Sequence, residues 1–488
     1  MAALSSLAPI LILILACLGA GRAILSTAGS PARPGPDGIA GLTGLALLTW
    51  LAGWFVLAGT YSKTVGWGLL TLGCASLLLR VVGGRSLRSG TSPGPRQPDI
   101  VALVLGLLSL GLMLGRAYGE LIVPFVAPGD DWPSYWHFPR LLLESGGFIE
   151  PFSLRRLTAL GAAPFAQSFF WPQFRIAGNG MTDAVLGQLL LWATVRALPK
   201  ALSTRAQPAW LGEGLALAAL LVSLTIPSPN SQPTLLPMAG ALVLILLTQR
   251  MRVAGTLGVA LAWGLVAAWL IGLRTRNAAF PAGLWLVSAL VAVRHRDREQ
   301  GLRLAVAGLA TVVGLLPWCL ALWRSSGTPL YPLLAGNFRF EGGLYSVTLD
   351  GPSLIALVGD RLWVSRVWII AAIGLVAALR PVVRLLSVQV VTALVLLVAL
   401  SAAATTGLDA ITIHRLSASF LAAGVVFFTA AIVVTDPATP DAGRPAPRWN
   451  LQPLMLWAGL ALWFLMPVTL PVGAWPVPYS NRSIFTFH

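Results

Sequence analysis

Long apolar runs alternate along the chain with short polar breaks, and the runs have the length of membrane spans. A spanning helix needs about 20 mostly apolar residues. Runs of this kind lie near 4–21, 40–60, 64–82, 100–116, 180–197, 208–226 and 234–249, then near 254–273, 278–294, 303–323, 366–382, 386–404, 416–435 and 452–471. The pattern predicts an all-α integral membrane protein of about 14 transmembrane helices. No positive residue precedes the run at 4–21, and Cys17 follows only a poor lipobox-like ILA. It therefore reads as the first membrane helix and not as a signal peptide.

Composition agrees with the pattern and changes how the charge is read. Of 488 residues, 56% are hydrophobic and 10% charged, against roughly 25% charged in soluble domains. A net charge of +16 would suggest nucleic acid in a soluble protein. Here the basic residues sit in the breaks between apolar runs, so they read as topology signals, with membrane lipids and not nucleic acid as partners. Lys63 and Lys200 are the only lysines among many arginines, a bias associated with GC-rich bacterial genomes. Cys17, Cys74 and Cys319 all fall inside apolar stretches. They read as packing residues, which argues against a disulfide framework or a metal cluster.

Arginine also sets the expected orientation, because short cytoplasmic loops retain Lys and Arg. Arg80, Arg85, Arg88 and Arg96 mark one inner loop. Alternation then places inside Arg196, Lys200 and Arg205; Arg250 and Arg252; Arg294, Arg296, Arg298 and Arg303; and Arg444 and Arg448. Both termini are expected outside, in the inner membrane of a bacterium. Arg274 and Arg276 break the rule, since the same alternation puts their short loop outside.

Two outer segments, 117–179 and 324–365, are too long for simple connectors. The first carries Trp132, Tyr135, Trp136, Phe138, Phe169, Phe170 and Trp171, so both read as structured outer loops at the membrane interface. The chain divides into N-terminal membrane helices over 1–98, a core membrane region over 99–323 that carries the first outer loop, the second outer loop over 324–365, and C-terminal helices over 366–488. The stretches 29–38, 84–98 and 436–449 are rich in Pro, Gly and Arg and read as flexible inner loops. No Walker, Rossmann or zinc pattern accompanies them.

Candidate chemistry concentrates in Gly129–Arg140, GDDWPSYWHFPR, continuing LLLESGGFIEPFSLRRL to Leu157. Pro139 suits the first turn of a short helix and Gly146 its end, so Arg140–Ser145 is expected to be helical, with Asp130 and Asp131 in the turn before it. Asp130, Asp131, Tyr135, His137, Pro139 and Gly146 together resemble the outer-loop motif of the C-type glycosyltransferase superfamily. These are polytopic enzymes that take a sugar from a polyprenyl phosphate or pyrophosphate carrier. A second resemblance is SGTPLYP, Ser326 to Pro332, which looks like the Gly-Asn-Pro-Tyr-Pro stretch opening a later outer loop in such enzymes. Two departures stand out. Three extra spans precede the motif, and His414-Arg415-Leu416 only faintly echoes a late Arg-Tyr element.

The resemblance implies transfer of a sugar from a polyprenyl-phosphate-linked donor to a glycan, lipid or protein acceptor at the outer face. Such a reaction needs a carboxylate that takes the acceptor hydroxyl's proton or holds a divalent cation, Mg²⁺ or Mn²⁺, and cations that neutralise the leaving phosphate. Asp130 and Asp131 suit the first role, as catalytic groups or metal ligands. Arg155, Arg156, Arg274, Arg276 and Arg339 suit the second, since guanidinium binds phosphate in a bidentate way. Tyr135, His137, Arg140 and Tyr331 complete the expected substrate-binding set.

Plainer readings stand beside these. The acidic pair could be a helix cap or a solvated turn, although adjacent carboxylates repel. The arginines could meet lipid headgroups. His137 and His414 read as hydrogen-bonded structural residues, because no ligand spacing accompanies them. The aromatic group around Trp132 reads as an interfacial anchor. Glu213 is expected to snorkel towards water, and Asp183, near the outer face, could join the site. Two other functions remain open: a polymerase or ligase of lipid-linked oligosaccharides that relies on arginine, and a transporter or flippase without covalent chemistry. A transporter would show paired broken helices or polar residues at mid-membrane in two halves, and this sequence lacks clear internal symmetry.

Overall fold

A computed structural model describes residues 2–26, 37–84, 99–122, 137–148, 159–174, 180–203, 207–224, 233–253, 255–330, 351–365, 367–380, 383–404 and 410–434. Among them the chain is helical, as lipid requires of backbone that must satisfy its own hydrogen bonds. The helices are α1 (Ala2–Ser26), α2 (Asp37–Leu57), α3 (Lys63–Gly84), α4 (Ile100–Ile122), α5 (His137–Ser145), α6 (Ala162–Ser168) and α7 (Trp171–Phe174). A π-turn, Thr182–Gly187, leads into α8 (Gln188–Arg196), followed by α9 (Leu198–Leu202), α10 (Ala209–Leu224), α11 (Leu235–Val253) and α12 (Leu257–Leu273). A 3-10 turn, Thr275–Ala278, opens α13 (Ala279–Arg294). After it come α14 (Arg298–Ser326), α15 (Gly351–Val364), α16 (Val367–Ala378), α17 (Arg384–Ala404) and α18 (Ala410–Val433).

Among the described residues eight helices are long and apolar enough to cross a membrane, or nine if α15 and α16, bent by 66° at their junction, form one span. The chain is therefore a helical membrane protein. Each expected apolar run up to 416–435 coincides with a helix or with the π-turn and α8, and the run at 452–471 lies outside the described residues. Within the second outer segment, residues 351–364 form α15, whose exposed Trp363 stacks on Trp368 of α16 with centroids 4.9 Å apart.

Local chemistry explains the ends. Thr256 caps α12, accepting from Val259 N, and Asp297 caps α14, accepting from Gln300 N at 2.9 Å. Gly327 ends α14 in the left-handed region at φ 66°. Small residues let α1 and α2 meet backbone to backbone: a Cβ on Gly44 would collide with the Cys17 carbonyl.

Cross-helix bonds sort the connections into two ends of the bundle. At the arginine end, Arg22 pairs with Asp37 at 2.5 Å, Arg80 donates to Ser26, and Arg196 pairs with Glu213 at 2.8 Å. Arg303 there donates to Met251 O at 3.2 Å and Arg380 to Val434 O at 3.5 Å. At the opposite, loop end, Arg324 donates to Leu57 O at 3.2 Å, Tyr61 N to Gly146 O at 3.0 Å, and Leu160 N to Gly272 O at 3.0 Å. The breaks that the arginine rule placed on one side, at Arg196, Arg250 and Arg294–Arg303, thus share an end. Residues 137–148, 159–170 and 273–278 and the start of the 324–365 segment share the other.

Candidate functional site at the loop end

The site is built around a short buried segment. Residues 159–170 turn into the loop end of the bundle, where α6 is buried along its whole length against α2, α5 and α12. This differs from the interfacial position expected of Phe169 and Phe170. Phe170 is wholly buried, and Phe169 lies edge-on to Phe165 with centroids 5.2 Å apart. The backbone can enter because glycine clears the way. Gly161, at φ 121°, lies against the Trp318 ring, and Gly272 leaves room for Ala162. Trp318 is itself fixed by its indole N–H, which donates to Thr49 O at 3.1 Å.

The helix expected after the acidic pair is present as α5, with Pro139 in its first turn. Gly146 ends it at φ 72°, with its N–H donating to Leu142 O at 3.2 Å. Arg140, expected to bind substrate, is exposed and pairs with Glu144 at 2.8 Å on the same helix face. His137 begins this helix. Asp130, Asp131, Tyr135, Arg155, Arg156, Tyr331 and Arg339 lie outside the described residues, as does the His137 side chain.

Arg274 and Arg276 flank the start of the 3-10 turn. Arg274 is only 9% exposed and Arg276 is half-buried, a depth unlike that of arginines spread among lipid headgroups. Asn277 holds the turn in place by donating to Leu270 O at 3.0 Å. Because Gly272 O receives the Leu160 N–H, the arginine turn is tied directly to the buried segment. At the start of the second outer segment, Thr328 is fully buried and donates to Ser326 O at 3.2 Å. The arrangement supplies buried positive charge beside a short helix and a polar turn, suited to holding an anionic headgroup.

Two acidic residues have structural roles. Asp183 is buried in the π-turn, and its carboxylate accepts from Thr234 N at 2.8 Å, Thr234 Oγ1 at 3.1 Å, Leu235 N at 2.9 Å and Leu236 N at 2.9 Å. It caps α11 from a neighbouring helix and has no lone pair to spare for the site. Glu213 lies at the arginine end, paired with Arg196 and accepting from Trp192 Nε1 at 3.2 Å. It is held in the protein and does not snorkel freely.

Among the described residues no three His, Cys, Asp or Glu side chains converge on one point. Sequence reasoning missed Tyr61, Gln167, Ser168 and Asn277, which line or brace this end. Tyr61 alone carried a signal, an aromatic in a five-residue connection between two spans. Comparison with protein-family models, characterised proteins and solved structures finds no match to this chain.

Proposed function

We propose that the chain is a membrane glycosyltransferase that moves a sugar from a polyprenyl-phosphate-linked donor to a glycan, lipid or protein acceptor at the outer face. The observation that carries the reading is the gathering at one end of the bundle of three segments marked independently in the sequence. These are the helix after the acidic pair, the Arg274–Arg276 turn, and the Ser326–Leu330 start of the second outer segment. About 14 spans and the C-type glycosyltransferase fold belong to the same proposal.

In this reading Asp130 or Asp131 accepts the proton of the acceptor hydroxyl. The acceptor oxygen bonds to the anomeric carbon as the bond from that carbon to the phosphate oxygen breaks. The pair of electrons leaves with the polyprenyl phosphate, whose charge Arg274 and Arg276 offset. Asp131 is the favoured base, being nearer α5 and Tyr135. Proton transfer by a placed side chain contributes about 10²- to 10⁴-fold in rate. The double variant Asp130→Asn with Asp131→Asn is therefore expected to reach the membrane in normal amount and to lose that much turnover. The test compares envelope glycans and lipid-linked sugars in a deletion strain carrying the parent or the variant. Full restoration by the variant sinks the catalytic assignment and moves the arginine-dependent polymerase and the transporter ahead.

A further inference from the structure

Pro317 interrupts α14 from within. It lacks the N–H that would bond the Val313 carbonyl one turn earlier, and its ring crowds that carbonyl. The vacancy is filled from another helix: the Trp50 indole N–H of α2 donates to Val313 O at 2.9 Å. The adjoining bond runs the other way, from the Trp318 indole of α14 to Thr49 O of α2 at 3.1 Å. Two indoles thus lace α2 and α14 together at the break, where a Cβ on Gly53 would lie 3.0 Å from Pro317 Cγ.

The partners of α14 change at this proline. Below it, α14 lies backbone to backbone on α12: a Cβ on Gly264 would lie 2.4 Å from Ala307 O, and one on Gly314 would lie 2.7 Å from Ala268 Cβ. Four residues further along each helix the pattern changes, for Gly272 of α12 meets Ala162 and Trp318 of α14 meets Gly161. The buried segment 159–170 therefore enters where α12 and α14 would next have met. Above the proline α14 is held by other elements. Trp318 packs on Phe148, beyond α5, with centroids 5.7 Å apart, and Arg324 donates to Leu57 O. A helix whose two halves are bound to different neighbours, with a backbone bond missing between them, bends most readily at that point.

We infer that Pro317 is a pivot in α14 and the Trp50 indole its latch, so that residues 318–326 form an arm whose angle opens or closes the crevice holding the 159–170 segment. Swinging the arm also moves the Ser326–Leu330 start of the second outer segment relative to the Arg274–Arg276 turn. The device goes beyond the proposed function and serves any chemistry at the loop end.

Spin labels test it in the full-length protein, reconstituted in lipid, with Cys17, Cys74 and Cys319 replaced by alanine. One pair, His295→Cys with Trp323→Cys, spans the pivot. The other, His295→Cys with Leu309→Cys, lies wholly below it, and all three positions are exposed. Trp50→Phe is expected to shift or broaden the spanning distance distribution and to leave the lower one as in the parent. In the Pro317→Ala background the amide at 317 bonds Val313 O itself, so Trp50→Phe is expected to change neither. Loss of packing at the indole is common to both backgrounds, so the comparison isolates the pivot. No change in the spanning pair, a like change in both pairs, or the same change in both backgrounds overturns the inference. Should Trp50→Phe fail to accumulate, Pro317→Ala alone decides: it is expected to narrow the spanning distribution below the parent's, and an equal width overturns the pivot.

Discussion

The Tyr61 hydroxyl stands 3.1 Å from Ser168 Oγ and joins the connection between α2 and α3 to the buried segment that carries Gln167. Burial pushes the Tyr61 phenol well above its ordinary range, and the Ser168 bond offsets this only in part. A phenol whose folded value is raised contributes stability that is fully present below the unfolded value, near pH 10, and is lost as pH rises through the folded one. Thermal unfolding between about pH 8 and pH 11 is expected to show this alkaline loss in the parent and less of it in Tyr61→Phe. Superimposable pH profiles would remove Tyr61 as the cause.

The end of α5 offers a backbone test. A Cβ on Gly146 would lie 2.7 Å from Gly59 O, and φ there is 72°. Gly146→Ala is expected to cost about 1–3 kcal/mol through strain and collision. A thermal midpoint equal to the parent's would mean that α5 does not dock on the α2–α3 connection.

At the other end, Glu213 is buried and Arg196, half exposed, stacks 5.0 Å over Trp192. Removing the cation leaves a buried carboxylate without its counter-charge, held only by the Trp192 indole N–H, so Arg196→Met should destabilise more than Glu213→Gln, by about 1–3 kcal/mol. The double variant should lose less than the two single losses combined. Additive losses would show that the two side chains act independently.

Orientation is tested by thiol labelling in a background where Cys17, Cys74 and Cys319 are replaced by alanine. Thr60 lies exposed at the loop end and His295 exposed at the arginine end. A reagent that cannot cross the membrane is expected to label Thr60→Cys in intact cells and to reach His295→Cys only after lysis. The reverse pattern would place the site on the cytoplasmic side.

Much of the helical layout was legible because lipid forces a simple rule on sequence: a run of about 20 apolar residues must be a helix. The helix after the acidic pair was legible for a different reason, since Pro139 and Gly146 fix its ends through backbone geometry. Residues 162–170 were misplaced because a buried Phe170 and an interfacial one look alike in sequence. What decides between them is whether glycines elsewhere, here Gly161 and Gly272, open a space to enter. The cap made by Asp183 depends on contacts across more than 50 residues of chain, which periodicity does not encode.

The π-turn at Thr182–Gly187 takes up one residue more than a regular helix would over the same rise. Continued as an α-helix, the chain before it would be rotated by about 100° relative to α8, and the Asp183 carboxylate would swing off the first turn of α11. That single residue of slack uncouples the phase of the helix's two halves. The cap at the loop end and the Trp192–Arg196 face that meets Glu213 can each hold their own partners, and a shift at one end need not be relayed as a twist to the other.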